Sequence, residues 1–338
     1  MTPETPGVLT GDTPSLSKEH HMSISLGRVA VTSLATVALL APTLPAEAII
    51  GGAPDRGEHP YVGQLLFYVP AAVDSRFDDP GGWFNCTGTL IDADTVVTAG
   101  HCTYAVGFEG AAPADPLLGG TDVWFSVEEE PDYSMLAPSS TYVPDRNEER
   151  YDDWSAALDA SPTWHETEST FTHPEYVDAA FLLHDLGVLE LSEPVVLPEY
   201  GSLPEADYLD RYAGKDRQRG LFESVGYGLE DSGPKFGLGG DTRRKADRRL
   251  VSLKGAYGYR DIAVMFSHRG SGTTGGTCFG DSGGPTFDIT TSQIADDNII
   301  VAVTSFGLNY NCNASGSYRI DQPDDLAFLE DPAGAYGS

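Results

Sequence analysis

The chain has 338 residues, of which 40% are hydrophobic and 10% aromatic, so it can bury a core and is not compositionally disordered. Its formal net charge of -31 repels phosphate backbones and anionic bilayers, which excludes nucleic-acid and membrane partners. With 38 Gly and 23 Pro the chain is rich in turns, which favours many short strands over long helices.

From Met22 the sequence runs MSISLGRVAVTSLATVALLAPTLPAEA. Arg28 gives a positive start, Val29 to Leu40 an apolar stretch too short to span a bilayer, and Ala46-Glu47-Ala48 a small-x-small cleavage site. These features predict a secretory signal peptide and a secreted, extracellular protein. Residues 1–21 carry no targeting pattern, and Met22 is the expected true start.

The remainder takes a strand at Tyr61–Val69, two more at Thr87–Ile91 and Val96–Thr98 joined by a turn at Asp92-Ala93-Asp94, and an irregular acidic stretch over 103–170. Further strands are predicted at Asp185–Leu191, Ser224–Gly228, Ile262–Phe266 and Ile299–Phe306, with a short helix at Asp324–Leu329. Thr274–Pro285 reads as a Gly-rich loop. No long amphipathic helix and no internal repeat is evident, a pattern that predicts an all-β sandwich or barrel. The Pro-containing crossing near 194–210 divides two halves.

Cys86, Cys102, Cys278 and Cys312 fit two disulfides in an oxidising compartment; four buried free thiols are the alternative. No C-x-x-C pair points to zinc or thioredoxin-like chemistry, and no cofactor or metal is expected.

A hydroxyl nucleophile needs an adjacent base, an acid that orients the base, and donors for the developing oxyanion. Three segments offer them. Gly280-Asp281-Ser282-Gly283-Gly284-Pro285 turns sharply and exposes a serine together with nearby amides. Thr98-Ala99-Gly100-His101-Cys102 pins a histidine beside a cysteine at the end of an apolar strand. Asp185 opens the apolar run Leu186-Gly187-Val188-Leu189-Glu190-Leu191, where a carboxylate would be buried beside a partner.

Ile49-Ile50-Gly51-Gly52, TAGHC, DLGVLEL and GDSGGP, in that order between Ile49 and about Ile320, resemble the chymotrypsin family of serine peptidases. The order His, Asp, Ser is that of this family and not of subtilisins or α/β-hydrolases. The resemblance implies an all-β fold of two six-stranded antiparallel β-barrels with a short C-terminal helix. Residues 1–48 form the signal peptide and leader, 49–202 the first barrel, and 203–338 the second barrel with the helix.

It also implies residue roles. Ser282 is the nucleophile, His101 the base and Asp185 the orienting acid, with the amides of Gly280 and Ser282 as oxyanion donors. The disulfides Cys86–Cys102 and Cys278–Cys312 are implied. A freed Ile49 amine is expected to pair with Asp281, and because Ala48 precedes it, signal cleavage itself would produce the active terminus. The specificity pocket is expected at Gly276, Ser305, Gly307 and Gly316, with Gly276 at its base. No acid stands at that base, so large apolar or aromatic P1 residues are expected rather than Arg or Lys. Ser305 and Gly307 would pair with the substrate backbone as an added strand.

Asp185 lies farther from His101 than a minimal family member requires, the excess being the acidic stretch. Glu128, Glu129, Glu130, Asp132, Asp152 and Asp153 could bind calcium, but a solvated acidic loop is the better reading. Arg243, Arg244, Lys245, Arg248 and Arg249 form one basic cluster, read as a solvated loop rather than an autolysis site or exosite. Asn85-Cys86-Thr87 and Asn313-Ala314-Ser315 match the glycosylation sequon. The expected partners are a protein or peptide substrate and a protein inhibitor, and the expected state is a monomer. A non-catalytic binding protein on the same fold and an esterase using the same triad are the competing readings.

Overall fold

The computed structural model describes residues 49–70, 81–104, 106, 122–136, 147–178, 183–231, 238–239, 242–254, 263–267, 275–290, 298–307, 312 and 315–336. The signal segment and leader, and Asn313 of the second sequon, lie outside them.

Strands β1 (Ala53–Pro54), β2 (Val62–Pro70), β3 (Gly81–Leu90), β4 (Thr95–Thr98), β5 (Val123–Ser126), β6 (His165–Thr172) and β7 (Gly187–Leu191) occupy the first half. Six of them close an antiparallel barrel in the order β2-β3-β4-β7-β6-β5. Asp92 makes the β3–β4 turn by accepting the N–H groups of Asp94 (3.1 Å) and Thr95 (2.7 Å).

The second half holds β8 (Leu221–Gly226), β9 (Leu229–Asp231), β10 (Leu238–Gly239), β11 (Arg244–Ser252), β12 (Ala263–Phe266), β13 (Pro285–Asp288), β14 (Ile300–Gly307) and β15 (Ser315–Arg319). The order β11-β12-β15-β14-β13-β8, closed by pairing of β8 with β11, makes a second six-stranded barrel. β9 and β10 form a separate pair. β1, although it precedes the first barrel, pairs with β11 of the second.

Helix α1 (Asn147–Asp159) and the C-terminal helix α2 (Pro323–Glu330) complete the fold. Among the described residues no helix is long and apolar enough to cross a membrane.

Two expectations need correction. The stretch 103–170 is not wholly irregular: it contributes β5, α1 and β6. Trp154, Ala157 and Leu158, at helical spacing, pack on Leu66, Trp124 and Trp164, so a short apolar stripe suffices to hold an otherwise charged helix. Its acids are used locally. Glu129 accepts the Arg56 N–H (2.8 Å) and Asp132 accepts the Ser134 N–H (2.8 Å). The side chain of Asp152 lies outside the described residues.

The basic cluster is not a solvated loop. Arg244 to Arg249 run along β11, where alternate residues face inward, and Arg243, Arg244 and Arg248 are buried. Arg244 donates to the Gly52 carbonyl (2.8 Å). Arg248 donates to the Ser267 carbonyl (2.7 Å) and Ser224 Oγ (3.1 Å) inside the second barrel.

Arg243 joins the barrels. Its Nε pairs with buried Asp55 (2.9 Å), and its Nη1 donates to the carbonyls of Val62 (2.8 Å) and Val127 (2.9 Å) of the first barrel. Tyr227 Oη donates to the Glu128 carbonyl (2.7 Å) beside it. Burial alone would raise the Asp55 carboxyl, but His59 and Arg243 outweigh it and hold it down at about 2.

Removing one partner of such a buried pair strands the other charge, at a cost of about 3–5 kcal/mol. Asp55→Ala is therefore expected to lower unfolding free energy by about 3 kcal/mol in urea titration. A loss below about 1 kcal/mol, the range of a surface pair, would contradict a structural joint here.

Candidate active site

β4 delivers the histidine. It ends at Thr98, and a 3-10 turn, Gly100–Cys102, follows directly. The Cys86–Cys102 disulfide ties that turn to β3, with Cα atoms 6.3 Å apart. Thr103 Oγ1 donates to the Gly100 carbonyl (3.1 Å) and secures its far end. His101 is thus fixed at the mouth of the first barrel.

Asp185 lies just before β7 and is fully buried. Its carboxylate accepts three donors. His101 supplies its backbone N–H (2.9 Å) and its Nδ1, 3.0 Å from both carboxylate oxygens. Ser305 Oγ on β14 supplies the third at 2.6 Å. A carboxylate at Nδ1 places the proton there, so Nε2 is the ring nitrogen that carries the basic lone pair. The sequence pointed to Ser305 only for its backbone; its hydroxyl is a further site group that no local signal marks.

Behind Asp185, His184 adopts φ 49° and stacks on His173, ring centroids 4.6 Å apart. Burial and the neighbouring His184 push the His173 imidazole down to about 4, so it is neutral near pH 7. Tyr318 Oη donates to the buried Asp325 carboxylate of α2 (2.9 Å), which faces His184. The two rings are nearly parallel, at 15°, so their in-plane lone pairs do not converge on one ion. Cys86 and Cys102, beside His101, are consumed in their disulfide.

Ser282 sits in the turn that leads to β13. Its carbonyl accepts the Thr87 N–H (2.8 Å) of β3, and the Gly283 N–H reaches the Thr304 carbonyl (2.7 Å). Gly283 has φ 76°, and a Cβ there would stand 2.0 Å from Thr98 Oγ1, so no other residue fits. Gly280 has φ 96°, and Thr87 Oγ1 donates to its carbonyl (2.9 Å). Among the described residues the N–H groups of Gly280 and Ser282 have no acceptor. The Cys278–Cys312 disulfide braces this loop.

His101, Gly280, Ser282, Ser305 and Gly307 line one cleft of about 1160 Å³. At one end Thr277 Oγ1 and Ser315 Oγ lie 2.6 Å apart, both buried. Among the described lining residues Asp178 is the one carboxylate, and none is Lys or Arg.

Two expected pocket residues are not brought there. Gly276 is committed to the N-terminal segment: it exchanges both backbone hydrogen bonds with Ile50 (3.0 and 3.1 Å). Gly316 is covered by Phe306, whose ring would stand 2.1 Å from a Cβ at 316. Thr277 and Ser315, each one residue along the chain from these glycines, line the cleft.

Asp281 is buried under Gly226 and Gly228, at either of which a Cβ would strike its carboxyl at 2.3–2.4 Å. It accepts the N–H groups of Gly228 (2.7 Å) and Cys278 (2.8 Å). Ile49 is also buried, but its nitrogen is still in a peptide bond with Ala48 and brings no charge. Burial pushes the Asp281 carboxyl up to about 7, with the two amides and Arg248 opposing.

Two closed antiparallel barrels, with His101 and Ser282 lining one cleft and Asp185 buried against His101, make a chymotrypsin-like fold. The Trypsin family model matches residues 49–152 and 148–323, and the chain belongs to the trypsin family as a serine endopeptidase. HL collagenase, solved at 1.7 Å resolution, is similar in fold, with 16% sequence identity and a TM-score of 0.52. That alignment covers 86% of this chain and 99% of the collagenase chain. No curated protein matches the sequence.

Asp281 gives a pH test of the uncleaved chain. A carboxyl raised from 3.8 to about 7 favours the fold while protonated, so its contribution is present below about pH 4 and lost as pH rises to about 7. At about 1.4 kcal/mol per unit, the stability difference between native and Asp281→Asn chains should shift by roughly 3–4 kcal/mol across that range. Urea titrations of both at pH 4 and pH 7 measure it. An unchanged difference would mean that Asp281 is not an uncompensated buried acid.

Proposed function

We propose that the protein is a secreted serine endopeptidase in which Ser282 attacks the scissile carbonyl, with preference for large apolar or aromatic P1 residues. The observation that carries this reading is the saturated Asp185 carboxylate, which holds His101 by both its backbone N–H and its Nδ1. That grip leaves Nε2 to serve Ser282 across the shared cleft.

In the reaction the Ser282 hydroxyl proton passes to His101 Nε2 as Oγ bonds to the substrate carbon. Negative charge builds on the carbonyl oxygen, and the unused N–H groups of Gly280 and Ser282 receive it; one such donor is typically worth about 3 kcal/mol. His101 then returns the proton to the leaving amine, whose C–N bond breaks. Water repeats the cycle on the acyl-enzyme. Asp185 holds the imidazolium through Nδ1 in both halves.

The P1 preference is supported by the uncharged end of the cleft, where Thr277, Ser315 and Phe306 lie together. Their two hydroxyls satisfy each other and offer no counter-charge to Arg or Lys. The β14 edge at Ser305–Gly307 pairs with the acyl half of the substrate.

A fluorophosphonate should label native protein at Ser282, and Ser282→Ala should abolish both labelling and at least about 10³-fold of peptide turnover. Peptides differing only at P1 should be cut faster after Phe, Leu or Met than after Arg. Dominant cleavage after Arg would reverse the pocket assignment, ester turnover without peptide turnover would favour an esterase, and absence of labelling a binding protein.

Activation follows from Asp281. Cleavage after Ala48 frees the Ile49 amine, whose positive charge offsets the buried carboxylate. Since Ala46-Glu47-Ala48 is itself a signal-peptidase site, export and activation are one event. N-terminal sequencing of active secreted protein should read Ile-Ile-Gly-Gly; an inactive form beginning upstream would require a second protease.

A further inference from the structure

The cleft extends well beyond the P1 end. It is also lined by Leu66 and Val69 of β2, Trp83 and Phe84 of β3, and by Tyr133 and Trp154. Tyr133 and Trp154 belong to the long connection between His101 and Asp185, so the insertion reaches into the catalytic cleft.

This wall is held in place. The Trp154 ring lies 5.2 Å from that of Trp83, which lies 5.8 Å from Trp124. Trp124 Nε1 donates to Asp159 at the end of α1 (2.8 Å), and Leu158 is fully buried beneath the helix. Tyr133 Oη donates to Gln64 of β2, and Trp164 Nε1 donates to the Asp132 carbonyl (3.1 Å). The Trp154 indole N–H has no acceptor among the described residues.

The two arms meet the nucleophile from different sides. β14 approaches through Ser305, which bonds Asp185. β3 approaches through Thr87, which bonds the Ser282 carbonyl and the Gly280 carbonyl. If β14 takes the acyl half of a peptide, the β3 arm receives the leaving half.

We propose that Trp154, with Trp83 and Tyr133, forms a binding site for a bulky apolar or aromatic side chain within the first three substrate residues after the scissile bond. This rests on the endopeptidase reading above. The ligand class follows from the lining: among the described residues, Leu66, Val69, Trp83, Phe84, Tyr133 and Trp154 give aromatic and aliphatic faces without charge, and they line the same cleft as His101 and Ser282. Helix α1 thereby acts as a specificity element.

The test uses internally quenched peptides with one fixed acyl half and Phe or Ala placed in turn at each of the first three leaving-group positions. An anilide substrate with the same acyl half, which has no residues after the bond, is the reference. At one position the native enzyme should prefer Phe over Ala by about tenfold in kcat/KM. Trp154→Ala should reduce that preference below about twofold while anilide turnover stays within twofold. Equal use of Phe and Ala by the native enzyme at all three positions, or a preference that survives in Trp154→Ala, would overturn the proposal. If Trp154→Ala loses anilide turnover as well, competition by free-amine peptides against anilide hydrolysis by the native enzyme decides. Phe at the chosen position should inhibit better than Ala, and equal inhibition would overturn the site. Failure of the native enzyme to cleave the anilide would count against the endopeptidase reading instead.

Discussion

A carboxylate without access to water, Asp185, is the constraint on which the site depends. A buried charge is costly unless donors surround it, and here each donor comes with structural consequences. His101 must present both a backbone N–H and a ring nitrogen, which requires the disulfide-tied turn after β4. Ser305 must come from β14, in the other barrel. Satisfying one acid therefore fixes the relation between the two barrels and the orientation of the imidazole.

The same device recurs at the barrel joint. Asp55 and Arg243 pair in the interior, and Arg243 Nη1 donates to the first-barrel carbonyls of Val62 and Val127 and to Tyr227 Oη. Asp281 is the exception: it has two amide donors and a high pKa, but no ion pair in the uncleaved chain. It directly precedes Ser282 in the chain.

The connection from His101 to Asp185 adds a different kind of element. It leaves the barrel strands in register, since β5 and β6 pair with their neighbours, and places α1 against the outside of β2 and β3. Because Asp185 must return to His101, both ends of this long excursion are pinned. Between those ends it carries Tyr133 and Trp154 to the cleft. A rigid scaffold with a variable connection is a common way to alter what a site recognises without altering its chemistry.

The sequence by itself determined the fold class, the order of the site residues, and the main strands around them. Those features are written locally: TAGHC and GDSGGP need particular glycines and neighbours, and the strands at Val62, Thr95, Gly187 and Ile300 carry dense apolar runs. Where the signal was not local, reading failed. Arg243, Arg244 and Arg248 are polar letters in a strand whose alternation is hidden by charge, and only their distant partners Asp55, Gly52 and Ser267 explain their burial. Helix α1 has so short an apolar stripe that Trp154, Ala157 and Leu158 gain meaning only against Leu66 and Trp124. That Thr277 and Ser315 line the cleft while Gly276 pairs with Ile50 is likewise set by distant partners. Tertiary structure decided these points because each depends on a contact between residues far apart in the chain, and one-dimensional spacing does not encode which distant group will saturate a buried donor or acceptor.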